Sequence, residues 1–332
     1  MSLCLQNHKV LPIGQIHHQA RGRLTCNRPV AVTAVPDRRT CLLSVFSVPL
    51  VLPVKDKTAI ASEIIISPAV VKLELAPDQS KYDPGDAKLR QALEMLQQGL
   101  NAGDVQLEEA TWTKIINQYS SVDAPWVPDV VGRAYGNRGN ARSRQGRLEE
   151  ALLDYNKAME ICPWSVDPVL NRGVALEALG RFEEAVSDYR AVLAAEPEDP
   201  AAWNNLGNAT AGLGSWEEAA GYFRKATLIA PGFSFAAANY ALAMYQIGKR
   251  NEAVKAFRSL LRKYPEFADV RAALAAALWA DGLEDQAENA WSRVEDIRYK
   301  DRKWLRTNRR WPPKLADALE AFLDVKSVAQ SS

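Results

Sequence analysis

Residues 146–163 read GRLEEALLDYNKAMEICP, and thirty-four positions further on residues 180–197 read GRFEEAVSDYRAVLAAEP. Both stretches open on Gly-Arg, set two glutamates before an alanine, place a tyrosine four residues after that alanine and close on a proline. Apolar residues at i, i+3 and i+4 make each an amphipathic helix, and the glutamates lie in its first turn, where the helix dipole favours negative charge. The leading glycine suits the left-handed residue that ends a preceding helix, and the proline stands where the helix cannot continue.

Working outward, the same spacing continues without insertion or deletion. One register runs through Gly139, Gly173, Gly207, Ala241 and Ala275, a second through Ala151, Ala185, Ala219, Ala253 and Ala287, and a third through Tyr155, Tyr189, Phe223, Phe257 and Trp291. Gly146, Gly180, Gly214, Gly248 and Gly282 form a fourth, and Pro163, Pro197, Pro231 and Pro265 a fifth. Small residues in the first two registers let the two helices of a unit approach closely, and the aromatic is expected to fill the space between units. Five units of this kind, from Gly132 to about Tyr299, resemble the tetratricopeptide repeat. The resemblance implies an all-α, right-handed superhelical solenoid of helix-turn-helix repeats, with the first helix of each unit lining a concave groove that holds ligands.

The flanks are read against this frame. Residues 86–131 predict a degenerate sixth helix pair with Ala110 in the Ala151 register, followed by a Pro-bearing insertion from Ala124 to Val131. Residues 300–332 carry a basic, aromatic segment and then Lys314 to Val325, whose Leu315, Leu319, Phe322 and Leu323 share one face, as a terminal capping helix requires. Residues 62–85 are expected to be a flexible linker, and the last residues a flexible tail.

The chain has 332 residues and a formal net charge of +1, but the charge is uneven. Residues 1–61 hold eight basic and two acidic residues, all three histidines, and Cys4, Cys26 and Cys41. Residues 1–50 contain one acidic residue, Asp37, a bias typical of an organellar transit peptide. Arg38-Arg39, the apolar run CLLSVFSVPLVLP (41–53) and Ala59-Ile60-Ala61 then supply the three parts of a signal peptide. The combination resembles the bipartite address of chloroplast thylakoid-lumen proteins, with cleavage after Ala61; a stromal location is the alternative. Without residues 1–61 the chain has no imidazole, and Cys162 is its single thiol.

No phosphate-binding loop, nucleophile elbow or metal-ligand spacing is present in the sequence, so no catalytic residue, metal or other cofactor is expected. The groove instead offers amides: Asn137, Asn171, Asn205 and Asn239 stand at the sixth position of four successive units. A side-chain amide both donates and accepts, so such a ladder can pair with the backbone of an extended peptide. The pattern is similar to the asparagine ladder in the repeat domain of O-linked N-acetylglucosamine transferase. Neighbouring groove positions add Arg133, Asn140, Arg144, Glu177, Asn204, Asn208, Phe235, Leu242 and Tyr245. A clamp for chaperone C-terminal carboxylates is incomplete, because Gly136 and Ala201 stand where basic residues are needed.

Residues 298–314, RYKDRKWLRTNRRWPPK, carry eight basic residues and one acidic one, leaving −12 on the rest of residues 62–332. Lys303, Arg306, Arg309 and Arg310 are candidates for a basic surface that meets an anionic membrane or an acidic protein. The opposing reading is that Trp304 and Trp311 pin the last repeat to the cap. Nucleic acid is disfavoured by the acidic body. The resemblance thus implies a non-catalytic scaffold holding a protein partner, with no small-molecule substrate. Together with the address, resemblance to plastid members of the family implies work in the assembly, maintenance or repair of photosynthetic complexes. A membrane-associated stromal adaptor, a homo-oligomeric scaffold and an RNA-maturation factor are the alternatives.

Overall fold

The computed structural model describes residue 64 and residues 66–331, with side chains as far as residue 326. The N-terminal address lies outside the described residues. Among those residues every regular element is helical: fourteen α-helices and three short 3-10 helices. They fall into two compact units, one ending at Pro197 and one beginning at Glu198.

The first unit contains α1 (Ala87–Leu100), α2 (Val105–Tyr119), α3 (Val127–Arg144), α4 (Leu148–Ile161), α5 (Asp167–Ala178) and α6 (Phe182–Ala195). The second contains α7 (Pro200–Gly212), α8 (Trp216–Ile229), α9 (Ser234–Gln246), α10 (Arg250–Lys263), α11 (Ala268–Ala280), α12 (Glu284–Trp291), α13 (Arg302–Thr307) and α14 (Pro313–Ser331). The hairpins α3/α4, α5/α6, α7/α8, α9/α10 and α11/α12 are the five repeats.

The punctuation of the sequence acts locally. Gly146, Gly180, Gly214, Gly248 and Gly282 have φ between +73° and +88°. The residue after each closes a six-to-one bond onto the finished helix, as in Arg181 N to Leu176 O at 2.9 Å. At Gly139, Gly173 and Gly207 the requirement is space. A Cβ there would lie 2.7, 2.6 and 2.6 Å from the rings of Tyr155, Tyr189 and Phe223. The aromatic therefore packs first against the glycine of its own repeat, and Phe223 also joins Ala243 of the next repeat's first helix in one apolar cluster.

Ahead of the repeats, α1 and α2 form the expected helix pair, each capped by an aspartate, Asp86 and Asp104. Its close approach is made differently from the expected one. Ala110 is exposed, whereas Ala151 is fully buried. The tight contact is Gly99, where a Cβ would sit 2.5 Å from Trp112. Val127 to Val131, expected within an insertion, form the start of α3, with Pro128 in its first turn where a missing N–H costs nothing. At the other end Leu315, Leu319 and Phe322 of α14 are buried in the cluster that holds α9 and α11, with Leu323 packed on its edge.

Residue 64 and residues 66–85, which fall within the stretch 62–85 expected as a linker, are tied to the first unit. Arg181 donates to Ile64 O at 2.9 Å, Arg172 donates to Ser67 O at 2.9 Å, and Lys72 N donates to Pro163 O at 2.8 Å. Gln79 and the Tyr82 hydroxyl both donate to Asp129 Oδ2, at 2.7 and 3.3 Å. The physical reason is that an extended segment exposes its own carbonyls, and here two guanidiniums of the repeats collect them.

Candidate functional site

In the first unit the relevant face belongs to α3 and α5. Asn137, Asn140, Asn171 and Glu177 are all buried there, between 1% and 8% exposed. Two of them are used by the aromatic register of their own repeat. The Tyr155 hydroxyl donates to Asn140 Oδ1 at 2.9 Å, and the Tyr189 hydroxyl donates to Glu177 Oε2 at 3.1 Å. Asn171 differs from both. It is 1% exposed, and neither its Nδ2 nor its Oδ1 has a hydrogen-bond partner. A buried amide left unpaired costs about 1–3 kcal/mol, so native proteins seldom keep one without a use.

The charged residues of this face are engaged with neighbours. Arg144 pairs with Glu108 of α2, within a cluster that joins Glu109 to Arg142 and Arg147. Arg133 is half-buried and close enough to Cys162 to favour its ionised form, but it is outweighed there. Burial, then Asp129, pushes the Cys162 thiol up to about 12. Its Sγ donates to Pro128 O at 2.9 Å, so the thiol is held protonated.

Below the face, Arg138 pairs with Asp154 at 2.7 Å and Arg172 with Asp188 at 2.6 Å, the same contact one repeat apart. Arg172 and Asp188 are almost wholly enclosed. Burial raises the Asp188 pKa, with Arg172 opposing.

In the second unit the corresponding face belongs to α7, α9 and α11, and its amides are spent on each other. Asn239 Nδ2 donates to Asn204 Oδ1 at 3.1 Å and to Asn208 Oδ1 at 3.2 Å, and Asn204 Nδ2 donates to Asn205 Oδ1 at 3.4 Å. Asn239 Oδ1 accepts from Arg309 at 3.3 Å. Leu242 and Tyr245 are buried, and Phe235 stacks edge-on with Phe267 at 5.2 Å.

Arg309 belongs to the basic segment, and that segment is largely turned inward. Its guanidinium makes a two-point pair with Asp269, at 2.8 and 2.5 Å. Trp311 Nε1 and the Tyr299 hydroxyl donate to the same carboxylate at 3.0 and 2.9 Å. Arg306 is exposed but pairs with Asp317 and Glu320 of α14 at 2.6 and 2.7 Å. Lys303 is exposed, and Arg310 is half-buried with φ +52°. Trp304 and Trp311 both stack on Tyr299, at 5.3 and 5.8 Å, joining the last repeat to the cap.

Sequence reasoning missed Asp269, Tyr299 and the strap at residues 64–82. The Arg138/Asp154 and Arg172/Asp188 pairs were within its reach, since a sixteen-residue spacing repeats after thirty-four. Among the described residues no His, Cys, Asp and Glu group could hold a metal ion, and no helix is long and apolar enough to cross a membrane.

Three family models, all described as tetratricopeptide repeat, match residues 132–165, 170–232 and 239–266. Two solved structures share the helical repeat solenoid. A tetratricopeptide repeat protein from Parabacteroides merdae aligns with a TM-score of 0.54 at 19% identity, covering 70% of this chain and 98% of its own. A chain of the APC/C hetero-tetramer Cut9–Hcn1 aligns with a TM-score of 0.54 at 17% identity, covering 70% of this chain and 43% of its own. No curated protein matches the sequence.

Proposed function

Because the chain carries tetratricopeptide repeats, we propose that it is a non-catalytic scaffold that holds an extended segment of a protein partner against the first helices of its repeats. The observation that carries this reading is Asn171: a buried amide on α5 with both polar atoms unpaired. Its spare donor and acceptor match the N–H and C=O of one peptide unit, the recognition element every extended segment offers. Asn137 on α3, 7% exposed, lies at the same position of the preceding repeat and extends the row.

Backbone capture of this kind reads little side-chain identity. Arg133 acts on Cys162 of its own repeat, and Arg144, Glu177 and Tyr245 support the repeats through contacts of their own. We further propose that the scaffold works in the chloroplast, in the thylakoid lumen, on segments of photosynthetic complexes during assembly, maintenance or repair. The support is the acidic-poor stretch 1–50 followed by the Arg38 to Ala61 signal. Import of labelled precursor into chloroplasts, with protease protection and sequencing of the mature N-terminus, tests the location. A protected product starting at Ser62 supports it, and an accessible product that keeps residues 41–53 overturns it.

The binding reading is tested by selecting extended peptides on the full chain from a random displayed library. The selected peptides are then titrated against Asn171→Leu. Loss of two hydrogen bonds worth about 1 kcal/mol each lowers affinity by about tenfold or more. A folded Asn171→Leu protein that binds every selected peptide as well as the parent sinks the proposal.

A further inference from the structure

The first-helix face of the second unit is occupied, and the occupant is the chain itself. Asp269 stands near the start of α11, and Asn239 in the amide register of α9, so both lie on the face that binds ligands in the reading above, on which this inference rests. Arg309 meets Asp269 through two parallel N–H···O bonds and reaches Asn239 with a third. Trp311 follows two residues later and donates to the same carboxylate. Fork-on-fork pairing with an added amide acceptor is how a guanidinium is recognised, beyond mere neutralisation of its charge.

The segment is held under constraint. Arg310, between these two anchors, has φ +52°, and it is the single non-glycine residue at positive φ among the described residues. A side chain in that conformation is unfavourable unless its surroundings impose it. On one side of the segment the six-residue α13 ends; on the other Pro312-Pro313 opens α14. Neither flank continues a helix through residues 308–312.

We propose that Asp269 and Asn239 form a guanidinium subsite of the second unit, and that Arg309 to Trp311 is its ligand in cis. The segment is a latch: while seated it closes this face, and when it lifts the face accepts an arginine-bearing extended segment of a partner. The first unit binds without such a competitor, and the second binds only after release.

The probe is a labelled peptide of residues 304–314, WLRTNRRWPPK, titrated by fluorescence anisotropy into the full chain. The double variant Arg309→Ala, Trp311→Ala empties the subsite and leaves its receptor groups in place. It binds the peptide at least tenfold more tightly than the parent does, and adding Asp269→Asn removes that gain. A folded double variant that binds no better than the parent overturns the latch. Should the double variant not fold, hydrogen exchange on the parent decides. The Arg309 and Trp311 amides, bonded to Trp304 O and Leu305 O, exchange at least tenfold faster than the amides of α11. Exchange only together with α11 means a segment that never lifts, and the proposal fails. Asn171→Leu lowers only the part of the binding that belongs to the first unit and leaves the gain of the double variant over its matched parent in place, so failure of the latch and failure of the first-unit reading are told apart.

Discussion

Asn171 and Asn239 occupy the same position two repeats apart, are both buried, and are in opposite states. The first, on α5, has neither amide atom paired; the second, on α9, donates twice and accepts from Arg309. Residue type and burial are alike, so the difference comes from what lies opposite. In the first unit the neighbouring polar groups are taken up by tyrosine hydroxyls of their own repeats. In the second unit the amides find one another and a cationic side chain from outside the repeats. A periodic sequence therefore fixes where a binding group stands without fixing whether it is available.

The largest test of this contrast removes the charge beneath the face of the first unit. Asp188→Ala leaves Arg172 enclosed without its carboxylate and costs about 3–5 kcal/mol, read by denaturant unfolding. It also loosens the strap, because Arg172 holds Ser67 O, and limited proteolysis near residue 67 should quicken. The next test acts on the amides directly, with effects of opposite sign. Asn171→Leu removes two unpaired polar atoms and stabilises the protein by about 1–2 kcal/mol even as it weakens peptide binding. Asn239→Leu strips partners from Asn204, Asn208 and Arg309 and destabilises by about 1–3 kcal/mol. Changes of the same sign at both positions would erase the distinction between the units.

Alkaline pH gives a more gradual effect, read in the first unit. The Cys162 thiol titrates near its ordinary 9.0 when unfolded and near about 12 when folded. Between these values the folded state holds the proton that the unfolded state has lost, so stability falls as pH rises from 9 toward 12. The slope from this group is at most about 1.4 kcal/mol per pH unit. Cys162→Ala removes that part of the slope, seen by comparing the two pH profiles of unfolding. In the native parent at pH 8 the thiol stays unreactive toward an aromatic disulfide reagent, and it reacts fully in denaturant.

The repeats were legible because their signals are local. Gly180 must turn the chain where it stands, and Gly173 must admit Tyr189 sixteen residues away, so a fixed spacing reports both. The capping face Leu315, Leu319 and Phe322 was legible for the same reason. The latch was not. Asp269 and Arg309 lie forty residues apart, one inside the periodic region and one outside it, and nothing in either neighbourhood marks them as partners. The basic run 298–314 looked like an exposed surface because charge alone does not show direction; only the aromatic residues hinted at an inward role. The strap was not legible because it is fastened at scattered points, through the Ile64 and Ser67 carbonyls, the Lys72 N–H and the Gln79 and Tyr82 side chains, which follow no side-chain period. Gly99 rather than Ala110 is the point of close approach because the Trp112 ring lies directly on it, where a Cβ would sit 2.5 Å away.

One substitution within the aromatic register reaches further than packing. Tyr155 carries a hydroxyl that engages Asn140, whereas Phe223, two repeats on, has none, and Asn208 at the position of Asn140 accepts instead from Asn239 of the next repeat. A single oxygen thus decides whether an amide closes a bond within a repeat or ties one repeat to its neighbour. In a linear array, stability divides into terms intrinsic to each repeat and couplings between adjacent ones. Tyrosine adds to the intrinsic term of the first repeat, while phenylalanine transfers the amide to the coupling between the third and fourth. Phe223→Tyr, by reclaiming Asn208, should therefore weaken the coupling of those two repeats by about 1 kcal/mol, with Asn239 still donating to Asn204 across the same junction.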